Sequence, residues 1–348
     1  MRCRSGRRSC RRSQTERFAV QLLSDIRVVH RVALPDAARH LAWFGATGVA
    51  GCDDGSTVAI NGDGSLQRLP HPAGSPITAL AGTSELLAVG ALDGSATVIG
   101  GNGSAASFRL GTGVRGAAVV GERAVFAAGD HLCVALGTSH EAVPLGIGTL
   151  TTVTRADGNL VMAGGVHGIA WFDVAMVAHD GRIDLPTIVG ASTDPLHRFV
   201  AAGDLGGSVH VLRPGHDDAS ELSGYPDRVA LLAWLATGSG LCATADDELT
   251  VWRATSDGLD EPEPVRLVAH DRPITAMAAS PTADLVATGD AVGTVFVWSP
   301  LRVDAPVAQV QSCGVVLAIA WSPTGRELLI SSATGDLLHC SATPGSIV

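Results

Sequence analysis

The sequence predicts an all-β chain folded as a β-propeller of eight four-stranded blades, with seven blades as the alternative. Three observations lead there. Short apolar strand-like runs recur at intervals of 36 to 45 residues along the 348-residue chain, the length that one four-stranded blade occupies. The apolar residues, 46% of the chain, are mainly Ala, Val and Leu; with 42 Gly and only 4% aromatics, that composition suits many small strands joined by tight turns. Finally, the last unit lacks an outer strand, and the other end of the chain has one to spare.

The units follow in order. HLAWFGATGVAGCDDGSTVAI starts at His40, PITALAGTSELLAVGALDGSATVIG at Pro76 and GVRGAAVVGERAVFAAGDHLCVAL at Gly113. TLTTVTRADGNLVMAGGVHGIAWF starts at Thr149, IVGASTDPLHRFVAAGDLGGSVHVL at Ile188 and DRVALLAWLATGSGLCATADDELTVW at Asp227. The clearest unit, AHDRPITAMAASPTADLVATGDAVGTVFVW, runs from Ala269 to Trp298, and GVVLAIAWSPTGRELLISSATGDLLHC follows from Gly314. Inner strands therefore begin near 40, 77, 114, 150, 187, 229, 274 and 316. A small sheet cannot cover both of its faces alone, so such units become stable by stacking blade on blade. Strands buried on both sides need no strict alternation, which accounts for runs such as Leu231-Leu232-Ala233-Trp234.

After the third strand of the last unit, Asp336 to Cys340, only eight residues remain, including Pro344 and Gly345. That blade would expose an unpaired edge. Ile26 to Leu34 sits where other units place their outer strand, so it is expected to complete the final blade and clasp the ring shut. Residues 1–25 read as an Arg-rich tail or a mis-assigned start, and 26–348 as the propeller.

The unit at 269–298 resembles a WD repeat: a His, an apolar inner strand, a Ser-Pro turn, a second strand of the LVATG type, a hairpin, and a third strand ending in Trp. The resemblance implies a buried His, Ser/Thr, Asp and Trp relay inside a blade. His270, Thr288 and Trp298 match it, while the Asp position falls on Val292, so the relay is expected to be broken. In the preceding unit Thr244, Asp247 and Trp252 match, with Tyr225 in place of His. Asp54 and Asp93 match the Asp position of the first two blades. All of these are read as structural, because a buried polar group must be hydrogen-bonded to be tolerated.

Charge and composition narrow the function. Residues 1–17 carry seven Arg and one Glu; taking that +6 from the net −10 leaves −16 for the remainder, a poor platform for nucleic acid. All 24 basic residues are Arg, read as the codon bias of a GC-rich bacterial genome. No run of 18 apolar residues is present, so no membrane helix is expected. The seven Cys show no metal or redox spacing, which points to reduced thiols and a cytoplasmic location. His179-Asp180 and His216-Asp217-Asp218 are expected in solvated outer loops. No inner strand, as read, contains Asp or Glu, leaving a channel of small apolar groups, Thr, His40, Arg115 and Arg155. No nucleophile elbow or phosphate loop has a strand-to-helix setting.

The expected function is a non-catalytic scaffold, a monomeric ring without cofactor that binds cytosolic proteins. WD-repeat rings usually meet partners on the face of the loops preceding the inner strands. Here that face would draw on Arg39, His71, Arg115, Asp227, Arg228, Asp271 and Arg272. The rival is a propeller enzyme or small-ligand binder, of hydrolase or lyase type, using the channel.

Overall fold

The computed structural model describes residues 23–72, 74–259 and 263–344. They form eight four-stranded antiparallel sheets arranged as an eight-bladed β-propeller, with no helix among the described residues. The inner strands are Ala38–Phe44, Ile77–Gly82, Val114–Val120, Leu150–Asp157, Ile188–Thr193, Leu232–Trp234, Ile274–Ala279 and Val316–Trp321, which open blades 1 to 8 in chain order. The seven-bladed alternative is excluded, since the units at 113 and 188 are both complete blades.

Blade 8 takes its outer strand from the other end of the chain. Leu23–Ala33 pairs antiparallel with Asp336–Pro344, with Val28 opposite Cys340 and His30 opposite His339. Both strands are longer than their sequence suggests. The pairing begins at Leu23, inside the segment expected to be tail, and the third strand continues past Cys340 to Pro344. The rest of the expected tail lies outside the described residues. A β-bulge at Val29 interrupts this long outer strand, a device that makes an exposed edge a poorer template for further pairing.

Two repeated devices join blade to blade. The first explains the glycine of the LVATG pattern. A Cβ built on Gly51, Gly90, Gly164 or Gly289 would lie 2.5–2.7 Å from Ile77, Val114, Ile188 or Val316, the β-branched first inner-strand residue of the next blade. Each glycine is thus a socket for its neighbour's knob. The second is a belt of hydrogen bonds between inner strands. The hydroxyls of Thr151 and Thr275 donate forward, to the carbonyls of Ile188 and Val316, at 2.6 Å. The indoles of Trp43, Trp234 and Trp321 donate backward, to the carbonyls of Ala320, Ser192 and Ala278. The seam between blades 8 and 1 carries both a Trp43 bond and one from Ser331 to Ala38, so closure is made as the other joints are made.

This construction gives the ring two faces. The upper face carries the loops entering the inner strands and the hairpins joining second to third strands; the lower face carries the remaining turns.

Candidate functional site

The buried polar groups inside the blades fix the loops of the upper face. In blade 7 His270 Nε2 lies 2.8 Å from Thr288 Oγ1, and the Trp298 indole donates to the same oxygen at 2.8 Å. His270 Nδ1 lies 2.9 Å from Asp290 Oδ2. The relay expected to break at Val292 is therefore complete, and Asp290 is its acid. An ionised carboxylate can only accept, so Nδ1 carries the proton toward Asp290 while Nε2 accepts from Thr288, and every member is satisfied. The other oxygen of Asp290 accepts from the amides of Val292 and Thr294, holding the hairpin.

Register explains the misplacement. Asp290, the last residue of its strand, is opposite Ile274, and the equivalent positions in blades 1 and 2 are Cys52 and Ala91. Asp54 and Asp93 sit two residues further on, inside the turns, where they accept from the amides of Ser56 and Ser95. Asp93 also holds Arg109 at 2.7 Å. Only blade 5 repeats the aspartate. Asp204 accepts from the amides of Gly206 and Ser208 and meets His210 at 3.0 Å, yet His210 comes from the third strand rather than from the entering loop. The sequence reading passed over this pair. Its signal is the run GDLGGSVH, an Asp closing one strand with a His six residues on.

For both aspartates burial alone raises the carboxyl pKa, but the histidine and two hairpin amides more than offset it and hold it below the usual carboxylate range. In blade 6 the chain of bonds runs from the Trp252 indole to the Tyr225 hydroxyl, on to Thr250 and then to the Ala243 carbonyl. Thr250 is the hydroxyl of this network rather than Thr244, and Asp247 takes no part in it.

The residues assigned to a partner face all lie on or beside the upper face, with corrections. His71 is not a free loop residue. It is the blade 2 counterpart of His270, half-buried, with Nδ1 2.9 Å from Thr97 and Nε2 buried without a partner. Arg39 is exposed but folds onto Asp53 at 3.0 Å. Arg115, Asp227, Arg228, Asp271 and Arg272 are exposed. Sequence reasoning missed the apolar part of this face. Leu92, Val166, Leu205 and Val292, 38–55% exposed, each sit at the hairpin between the second and third strands of blades 2, 4, 5 and 7.

Two further expectations also change, one of the channel and one of an outer loop. The inner strand of blade 4 runs on to Asp157, so one inner strand does end in a carboxylate, exposed at the lower rim. His179 and Asp180 belong to the outer strand of that blade, Ala178–Ile183, rather than to a loop. His40, half-buried in the inner strand of blade 1, has a lowered pKa; burial is the main cause and Arg39 adds to it, against the opposing pull of Asp53. Among the described residues no group of three His, Cys, Asp or Glu side chains is placed to hold a metal ion. Cys133 and Cys340 are buried thiols pushed up to about 11 and about 12, far from the thiolate form that reacts.

These features define the class: an eight-bladed β-propeller whose seventh blade is similar to a WD repeat. Residues 263–299, which contain the whole relay of blade 7, match the WD40 family model, described as WD domain, G-beta repeat. A stretch of 104 residues is 33% identical to the periodic tryptophan protein 2 homolog of Caenorhabditis elegans, covering 30% of this chain; the match spans 11% of that longer protein. Among solved structures, the Dos1 propeller superposes with a TM-score of 0.75 at 14% identity, over 91% of this chain and 95% of its own. Sqt1 of Chaetomium thermophilum, solved bound to the N-terminus of the ribosomal protein L10, superposes with a TM-score of 0.73 at 18% identity, over 92% of this chain and all of its own. The computationally designed Ika8 protein gives 0.72 at 20% identity, over 93% of this chain and all of its own. At these identities the likeness is one of fold.

Proposed function

We propose that the protein is a non-catalytic interaction scaffold whose upper face binds protein partners. One observation carries the reading: Leu92, Val166, Leu205 and Val292 stand exposed on four hairpins of one face, among exposed charged side chains that include Arg115, Arg228 and Arg272. Apolar side chains set among charged ones are the make-up of a protein interface. The hairpins that carry Leu205 and Val292 are held by Asp204 and Asp290, so the face is presented in a fixed geometry. The relative solved with an N-terminal segment of another protein supports such a use of the fold.

The test is photo-cross-linking, since the chain has no Lys and amine-directed reagents can reach only its terminal amine. With Leu92, Leu205 and Val292 all changed to Ser, the cross-linked partner bands should disappear while the thermal melt stays unchanged. Retention of the same bands in this variant overturns the assignment of the face.

A further inference from the structure

Blade 6 departs from its neighbours on the upper face. Its inner strand, Leu232–Trp234, has three residues where the other seven have six to eight, and the loop that enters it, 223–231, is the longest of its kind among the described residues. The gap opens a groove. On its outer side a cavity of about 500 Å³ is lined by Tyr225, Trp252, Asp246, Asp247, Glu248 and Glu263, among others. On its inner side a second cavity, of about 620 Å³, shares Pro226 and Asp246 with the first and adds Asp227 and Arg228.

The chemistry of the walls is selective. Five carboxylates, of Asp227, Asp246, Asp247, Glu248 and Glu263, face the two guanidinium groups of Arg228 and Arg266, and Arg266 is held at 3.2 Å by Glu248. The polar atoms of the aromatic wall are already committed, because the Trp252 indole donates to Tyr225 and the Tyr225 hydroxyl binds Thr250. What the wall offers a ligand is ring surface and carboxylate oxygen. That combination suits a cation on a long aliphatic stem and repels a phosphate.

We propose that this groove docks an extended basic segment of a protein partner. One arginine or lysine enters the cavity beside Tyr225 and Trp252, and the residues next to it run over Pro226 into the inner cavity. The assignment rests on the scaffold reading above and gives it a partner chemistry.

The probe is a fluorescein-labelled nonapeptide of alternating Arg and Gly, read by anisotropy at low salt against its Asp-Gly counterpart. The variant Asp246→Asn with Asp247→Asn removes two exposed or half-exposed charges from the groove; Asp217→Asn with Asp218→Asn removes two exposed charges from the lower face. The Arg peptide should bind the unaltered protein, lose affinity roughly tenfold on the groove variant, and bind the lower-face variant unchanged. Equal weakening by both variants would mean that only the diffuse negative field attracts the peptide, and the groove assignment falls. It falls equally if the Arg peptide does not bind, or if the Asp peptide binds as well. In each case cross-linking that still depends on Leu92, Leu205 and Val292 leaves the scaffold reading standing.

Discussion

Blades 7 and 2 place a histidine at the same point of the entering loop, and they satisfy it differently. In blade 7 His270 lies between Thr288 and Asp290, with Trp298 closing the network. In blade 2 the position opposite Ile77 that would hold the aspartate is Ala91, and Val89 stands where blade 7 has Thr288. Ile99 stands where blade 7 has Trp298. The hydroxyl has moved to Thr97 on the third strand, which also reaches Ser107, and His71 keeps one ring nitrogen buried and unpaired. The comparison shows that the fold does not require the relay. A blade stands on its strand pairing and on the glycine sockets Gly90 and Gly289, present in both; the relay adds rigidity to the loops above it.

If that is so, the largest single loss should come from the anchor that blade 2 lacks. Trp298 is fully buried, and Trp298→Ala should destabilise the protein by about 3–5 kcal/mol in chemical denaturation, the cost of truncating a packed aromatic. A loss below about 1 kcal/mol would mean that blade 7 depends on its anchor no more than blade 2 does.

Next in size is Asp290→Asn, which should cost about 1.5–3 kcal/mol at neutral pH, the worth of hydrogen bonds to a charged group. Its pH dependence has a definite sign. The folded pKa of Asp290 is depressed, so its contribution is complete above the ordinary carboxylate value of about 3.9 and is lost as pH falls through the folded value. Denaturation midpoints of the variant and the unaltered protein should therefore converge only in strong acid. Convergence by pH 6 would place the stabilisation elsewhere.

The smallest effect belongs to blade 2. Thr97→Val should cost about 0.5–1.5 kcal/mol, the value of one neutral hydrogen bond. Acid should reach this blade first. Burial lowers the His71 pKa, with Asp93 opposing, so the unfolded chain takes up a proton there before the folded one does. Stability is then lost as pH falls below about 6.5 and through the lower folded value. His40 titrates in the same direction, so the measurement is the difference between the unaltered protein and His71→Asn, followed by urea denaturation from pH 7.5 to 5.5. If both lose stability in parallel, His71 is not the group responsible.

The sequence carried the architecture well and the polar detail poorly. Eight blades were favoured over seven because every unit repeats the same strand, turn and strand order, while the weak units at 113 and 188 left seven open until the structure showed both complete. The clasp was legible because a spare strand and a missing one stood at opposite ends. Asp290 was misplaced because the turn residues Asp54 and Asp93 look like relay acids in one dimension, although pairing puts Cys52 and Ala91 at that place. Thr250 was passed over for Thr244 because this network takes its hydroxyl from the third strand, opposite Ala243, rather than from the second.

By itself, then, the sequence determined the repeating unit, the order of strands in each blade and the means of closure, since these follow from local propensity, spacing and the need to bury both faces of every sheet; the choice of eight blades over seven came from the structure. The tertiary structure decided which carboxylate meets which histidine, that His71 turns inward while Arg115 stays out, and that blade 6 opens into an acidic, aromatic-walled groove. Those outcomes depend on register across strands, where a shift of two residues in a hairpin moves a side chain from the relay into the turn.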